Sequence, residues 1–296
     1  MEKIKEKVKK LRELYDFKGP LHFTDFSNLN SIISIGYLCS RNLCYANNIE
    51  FYDILHEDGT IPSKVKGCTR FYYVEKNNNE SMKRLSVPVY LLFSEELLYF
   101  DLAIFTDKSA DFTDANFGMD FDFFNYEVDW DAVFSKRCTD ECLNGEVGEL
   151  FIKRKQSELL IDEPVSLKQL KKIIFRCNAD YKRACNLFGK SKLYAVEPQM
   201  FLHHNNYVND YNVVYNSSLD SDVFILHFCT NEPVKNHLKH EYRLYDLNDN
   251  LLRVAKVNFM ESESTDFHVE VSSLPCLPVK FKLWLYGILS IEETIG

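Results

Sequence analysis

Residues 21–41 read "LHFTDFSNLNSIISIGYLCSR", and the reading of the fold turns on them. His22 and Thr24 alternate along a short apolar segment, so on a strand both project from one face. Ser27 or Asn28 then offers a side-chain oxygen to the first free amides of a helix through "NLNSIISIG", which Gly36 ends as the residue after its last turn. Upstream, Gly19-Pro20 stops a Lys/Glu-rich amphipathic helix that carries Ile4, Val8, Leu11 and Leu14 on one stripe. A strand feeding a capped helix can present an imidazole and backbone amides to a flat polar ligand.

Working outward, strand-like runs follow at "TRFYYVE", "VPVYLLF", "LAIFT", "ELLID" and "LYAVEP", with a helix over about residues 166–188 between the last two. Short strands interleaved with few helices predict an α+β fold. Residues 206–222 are Asn/Asp/Ser-rich and read as a linker. Beyond it, "VFILHF", "HEYRLYD", "LLRVAKVNF", "DFHVEVSS" and "VKFKLWLYG" alternate apolar with polar residues, and "LNDN" supplies a hairpin turn. The expected organisation is a catalytic-type domain over 1–205, a linker over 206–222 and a small all-β, sandwich-like domain over 223–296.

The 296 residues are 46% hydrophobic and 27% charged, which fits a folded protein and excludes wholesale disorder. No apolar run reaches the roughly 18 residues of a membrane span, and the first residues do not form a signal peptide, so a cytoplasmic protein without membrane contact is expected. The nine cysteines complete no zinc pattern, which leaves buried thiols and no metal. The net charge of −9 argues against a protein that coats nucleic acid along its whole surface. The charge is unevenly spread, however. Between Glu95 and Asp131 eleven acidic residues face the single cation Lys108, whereas Lys153, Arg154 and Lys155 lead directly into Gln156, Ser157 and Glu158. A cationic turn followed by a carboxylate at the head of an apolar strand suits an anionic ligand beside a reacting centre.

The opening stretch resembles that of the DarT-type DNA ADP-ribosyltransferases, toxins of toxin–antitoxin pairs, in which a His-x-Thr strand and an Asn-Leu-x-x-Ile helix form the nicotinamide pocket. The likeness continues in order through "VKGCTRFYYVEKN", "AIFTDKSADFTDANF", "VDWDAVFSKRCTDE", "RKQSELLIDEPVSLKQL" and "LYAVEPQMF", covering residues 17–202. It implies a split β-sheet core with flanking helices, NAD as ADP-ribose donor, no metal, and single-stranded DNA as acceptor. An antitoxin or a de-ADP-ribosylating macrodomain protein is the implied partner.

By the same resemblance Glu158 is the catalytic carboxylate, stabilising the charge that grows on the ribose, and Gln156 touches the acceptor or the ribose from the same strand face. His22, Phe23, Thr24, Asn28, Arg41 and Tyr72 would bind the cofactor, while Lys153, Arg154 and Lys155 would meet phosphates of NAD or of the nucleic acid. The family's arginine between the first helix and the aromatic segment has no counterpart in "LCYANNIEFYDILHEDGTIPSKVKG". Arg70 stands where the family has a proline, and it is assigned to catalysis here; Arg41, His56, Lys64 and Lys66 are the other substitutes. Two alternatives stay open: a transferase with a protein or small-molecule acceptor, and a silent module that binds NAD or nucleic acid.

Overall fold

The computed structural model describes residues 2–53, 63–75, 84–135, 146–201, 206–217, 222–234, 238–259, 264–272, 274 and 279–295. Its chain divides into two compact units, Met1–Ile173 and Ile174–Gly296. His56, considered above, falls outside the described residues, as do three of the nine cysteines, Cys138, Cys142 and Cys276, and the side chain of Lys64.

The first unit opens with helix α1 (Glu2–Tyr15), whose Val8 and Leu11 are buried. Strand β1 (Leu21–Asp25) follows, then a 3-10 turn over Phe26–Asn28 and helix α2 (Leu29–Ile35). The start of that helix differs in detail from expectation. Asp25, not Ser27 or Asn28, accepts the Ser27 amide, and Asn28 makes no capping bond. Gly36 does close the helix, with φ 78, a conformation that glycine reaches without a side-chain clash. Gly19 is required for another reason: a Cβ there would lie 2.0 Å from the Phe93 carbonyl oxygen.

Strand β2 (Tyr37–Leu38), helix α3 (Arg41–Ala46), helix α4 (Ser63–Lys66) and strand β3 (Thr69–Tyr72) come next. Then follow β4 (Pro88–Phe93), β5 (Ala103–Thr106), β6 (Phe117–Gly118), α5 (Trp130–Phe134), α6 (Glu146–Arg154) and β7 (Glu158–Ile161). The short β8 (Val165–Ser166) pairs with β2, and β9 (Leu170–Phe175) carries the chain across the division between units. The sheet order in this unit is β9-β4-β1-β3-β7-β5-β6. Tyr90, Phe71, Phe93, Phe105 and Leu91 are fully buried, and these apolar side chains account for most of the unit's cohesion.

The sheet is split. β1 pairs with β4 through five residues, from Leu21 to Asp25, but meets β3 only where Leu21 lies opposite Tyr72. Beyond that pair the two strands diverge, and the side chain of His22 takes the place of a ladder bond: its Nδ1 lies 2.9 Å from the Arg70 carbonyl oxygen.

In the second unit, helix α7 (Asn178–Phe188) and strand β10 (Tyr194–Val196) precede seven antiparallel strands. These are β11 (Val208–Ser217), β12 (Asp222–Thr230), β13 (Leu238–Tyr245), β14 (Leu251–Phe259), β15 (Asp266–Ser272), β16 (Val279–Leu285) and β17 (Ile288–Ile295). Two sheets, β11-β12-β15 and β14-β13-β16-β17, share a core of Phe224, Leu226, Phe228, Leu238, Leu244, Phe281 and Leu283. That is the expected sandwich. The "LNDN" turn is also found, held by the Asp246 carboxylate accepting from the amides of Asn248 and Asn250.

Three expectations need correction. The helix read over 166–188 is a strand, β9, followed by the shorter α7; the apolar run Ile173–Phe175 is fully buried, and periodicity does not separate a buried strand from a buried helix. The polar segment 206–222 contains a ten-residue strand rather than a linker, because Tyr207, Val208 and Tyr211 face the sandwich core while the Asn and Asp side chains between them do not. Finally, α7 groups with the second unit, and its Ala179 belongs to the sandwich core with Cys177. A fragment ending at residue 205 would therefore keep α7 but strip it of the sheet that covers it. We expect that fragment to aggregate or melt without cooperativity in a thermal scan; a soluble monomer with a sharp transition would show that α7 needs no sandwich.

Candidate active site

A cleft of ≈ 320 Å³ opens at the fork between β1 and β3, and His22, Phe23, Thr24, Asn28, Arg41, Arg70, Tyr72 and Gln156 all line it. Residues from three separate sequence motifs thus converge on one cavity of the size expected for a ligand site.

At its inner end Arg70 is clamped between two carboxylates. Its Nε and Nη2 donate to Oε2 and Oε1 of Glu158, both at 2.8 Å, and its Nη1 and Nη2 donate to Oδ1 and Oδ2 of Asp111 at 2.7 and 2.9 Å. Both contacts are two-pronged, which guanidinium geometry permits and an ammonium would not. Burial alone would depress the Arg70 pKa, but attraction to Glu158 and Tyr72 and the hydrogen bonds to Glu158 and Asp111 together outweigh it, so its pKa rises well above the usual arginine value. Glu158 is 1% exposed and lies behind the cleft lining. The Ser109 hydroxyl donates to its Oε1 at 3.0 Å, its amide donates to the Thr106 hydroxyl at 2.8 Å, and β7 sets it opposite Tyr72.

The wall built by β1 is equally determined. The Nδ1–H of His22 donates to the Arg70 carbonyl, which leaves Nε2 as an acceptor. Burial lowers the imidazole pKa to about 4, so the ring is neutral at physiological pH. Phe23 stacks on Tyr72 with centroids 5.2 Å apart, and burial pushes the Tyr72 phenol up, keeping it protonated. Asn28 spends its amide within the protein, donating to the Thr24 hydroxyl and the Tyr52 carbonyl and accepting from the Tyr52 amide at 2.5 Å. It fixes the 49–53 segment as the cleft's other wall. Arg41 pairs with Asp53 at 2.8 Å on that wall, and Asp53 also accepts from Tyr45. The thiol of Cys44, also lining the cleft, is raised to about 11 by burial and remains protonated.

The remaining assignments shift. Gln156 is not on the strand: its amide donates to the Lys153 carbonyl in the turn between α6 and β7, although the residue does reach the cleft. Lys153, Arg154 and Lys155 do not line it. Lys153 sits over the Phe112 ring, Arg154 pairs with Asp129 at 3.2 Å, and Lys155 donates to the Ser135 carbonyl. Sequence reasoning missed Ser109 and Asp111, and named Lys66 only as a substitute for the family's arginine. The first two lie in "KSAD", inside a motif already singled out, but nothing in their spacing shows that they meet a guanidinium supplied by β3.

The lining suits a nicotinamide dinucleotide. It offers a neutral imidazole acceptor, a flat aromatic pair, the cations Arg41 and Lys66, and the hydroxyl of Thr69, which is 2% exposed yet has no hydrogen-bond partner among the described residues. Among the described residues no group of His, Cys, Asp and Glu side chains can hold a metal ion, and no helix is long and apolar enough to cross a membrane.

A family model described as "ssDNA thymidine ADP-ribosyltransferase, DarT" matches residues 21–202, more than half of the chain. The chain belongs to the DarT family. It is an ADP-ribosyltransferase that uses NAD as donor and single-stranded DNA as acceptor. Solved DarT structures are similar to it. Thermus sp. 2.9 DarT in complex with NAD+ is 14% identical, with a TM-score of 0.47 over 62% of this chain and 96% of that one. The same protein in complex with ADP-ribosylated ssDNA is 13% identical, with a TM-score of 0.48 over 62% and 95%. Thermosipho africanus DarTG in complex with ADP-ribose is 12% identical, with a TM-score of 0.49 over 66% and 53%. No curated protein sequence matches the chain. The DarT match ends at residue 202, so the sandwich lies beyond it.

The depressed His22 pKa has a consequence for stability. Between pH 6.5 and about 4 the unfolded chain binds a proton that the folded imidazole refuses, so stability is lost as pH falls through that window and is unaffected by this group above it. In urea titrations His22→Gln should show a shallower loss over this window than the wild type; parallel curves would mean that the ring is not held neutral.

Proposed function

We propose that Arg70 and Glu158 form the catalytic pair and that the base modified is thymine. The observation that carries this is the carboxylate of Glu158, held dry at the back of the fork by Arg70, Ser109 and the Thr106 contact to its backbone. NAD supplies an ADP-ribosyl group whose release from nicotinamide builds positive charge on the ribose. A fixed carboxylate opposes that charge without having to reorganise, which is the most effective electrostatic arrangement available to a protein. Arg70 positions Glu158 and is itself neutralised by Asp111, so the three side chains together present one net negative charge. The support for Arg70 as the substitute for the family's arginine is this contact.

Around the pair, the acceptor nitrogen of His22, with Phe23, Thr24 and Tyr72, is suited to hold the nicotinamide. Asn28 secures the opposite wall, and Arg41 with Lys66 is suited to the pyrophosphate. Gln156 carries an amide whose donor and acceptor match the imide edge of thymine. Lys153 and Arg154, at the end of α6, and Lys155 just after it are the cations nearest in sequence for phosphates of the strand. Modified bases block copying, which supports a cytoplasmic toxin restrained by an antitoxin or reversed by a macrodomain protein that removes ADP-ribose.

Glu158→Gln keeps one bond to Arg70 while Asp111 still balances the guanidinium, so the variant should fold. Its transfer to a thymine-containing oligonucleotide, followed by mass spectrometry, should fall by roughly 10²–10³. Near-normal transfer would remove Glu158 from the chemistry, and adducts on strands lacking thymine would overturn the choice of base. Arg70→Ala is expected to do more than slow the reaction. It leaves a buried carboxylate unpaired, and chemical denaturation should register about 3–5 kcal/mol of lost stability.

A further inference from the structure

We infer that the outward face of the sheet β14-β13-β16-β17 is a second binding surface for single-stranded DNA, in the part of the chain beyond the family match. The inference rests on the DNA reading above but on different residues.

The cations of the sandwich strands are confined to one sheet, which also carries Glu241, Glu292 and Glu293. No Lys or Arg occurs in β11, β12 or β15, which together carry Asp210, Asp222, Asp266 and Glu270. The cations of the sandwich strands are Lys239 and Arg243 on β13, Arg253 and Lys256 on β14, and Lys280 and Lys282 on β16, three adjacent strands. Alternation places five of these on the outer face. On β16, Val279, Phe281, Leu283 and Leu285 enter the core, which turns Lys280, Lys282 and Trp284 outward. On β13, Leu238 and Leu244 point inward, and Lys239, Glu241, Arg243 and Tyr245 outward; Lys256 joins them through Glu241.

Aromatic rings are interleaved with these charges. Arg243 lies over Trp284 at 4.9 Å from its centroid, and Lys282 over Tyr245 at 5.7 Å. The register sets Arg243 opposite Lys282, with Trp284 and Tyr245 diagonal to them. A flat surface carrying cations and π-faces is what a flexible strand of bases and phosphates needs, since stacking and charge neutralisation work with any sequence. Existing partners are no obstacle. Arg243, Lys256, Lys280 and Lys282 are 41%, 76%, 31% and 25% exposed, and ion pairs open to water contribute about 0–1 kcal/mol, so phosphates can compete with Glu241, Asp249 and Glu292, the last of which holds Lys282 at 2.7 Å. An acidic protein segment would satisfy the cations but would leave the rings unused.

The test uses the full chain without NAD and an oligo-dA of about 20 nucleotides, which offers no thymine to the active site and long enough contact for a sheet face. The chain has two tryptophans; Trp130 is 5% exposed, so quenching by the oligonucleotide reports on Trp284. Quenching is expected, with binding weakened about tenfold in Trp284→Ala. In Lys280→Gln/Lys282→Gln the slope of log affinity against log salt should shrink by about 1.4, for two lost phosphate contacts. The double variant keeps the core intact and reads the same surface should Trp284→Ala fail to fold. Transfer to a short thymine-containing oligonucleotide should be unchanged in both variants, which separates failure here from failure of the catalytic reading. Unquenched tryptophan at low salt, or displacement of the DNA by polyglutamate at equal charge, would overturn the inference, the latter in favour of a protein partner.

Discussion

Arg70 and Glu158 constrain one another and, through one another, the first unit. A carboxylate at the buried start of β7 is tolerated only with a partner of opposite charge and matching geometry, because an isolated charge taken out of water costs several kcal/mol. β3 delivers that partner from the neighbouring strand, where Arg70 lies opposite Leu160 and Tyr72 opposite Glu158. Asp111 and Ser109 complete the shell from the segment after β5. The pair is therefore also a statement about register. A shift of one residue between β3 and β7 would turn Arg70 to the other face and leave Glu158 buried alone.

The split sheet follows from the same neighbourhood. β1 and β3 share one residue pair and then separate, and the imidazole of His22 satisfies the Arg70 carbonyl that a continuous ladder would have used. A backbone acceptor is thereby satisfied while the strands stay apart, and the space between them becomes the cleft. One histidine thus serves the fold through Nδ1 and keeps Nε2 for a ligand. The depressed pKa belongs to this arrangement: a charged ring would have to be buried beside a guanidinium.

The second unit follows a simpler logic. Alternating strands bury one face each in a common core, and what distinguishes the two sheets is the outer residues. Core formation is indifferent to whether those are acidic or basic. The confinement of the strand cations to one sheet is consequently a property of surface chemistry rather than a requirement of folding.

Residue order by itself determined much of this protein. The alternation of His22 and Thr24, the glycine after α2, the carboxylate heading "ELLI" and the alternating segments after residue 222 each follow local rules, and the motifs in sequence identified the transferase family. Residue order did not decide β9 or β11. In the first, the buried run Ile173–Phe175 carries no periodicity that separates strand from helix; in the second, polar side chains between core residues imitate a loop. Nor did it reveal the clamp. Arg70 stands 88 residues from Glu158 and 41 from Asp111, and such a meeting depends on strand order, not on spacing along the chain. The cations before Gln156 illustrate the converse: neighbours of the site in sequence, they do not line the cleft and are held by Phe112, Asp129 and Ser135. Local propensity fixes which way a side chain points along its own element, and only the pairing of distant strands fixes what it meets.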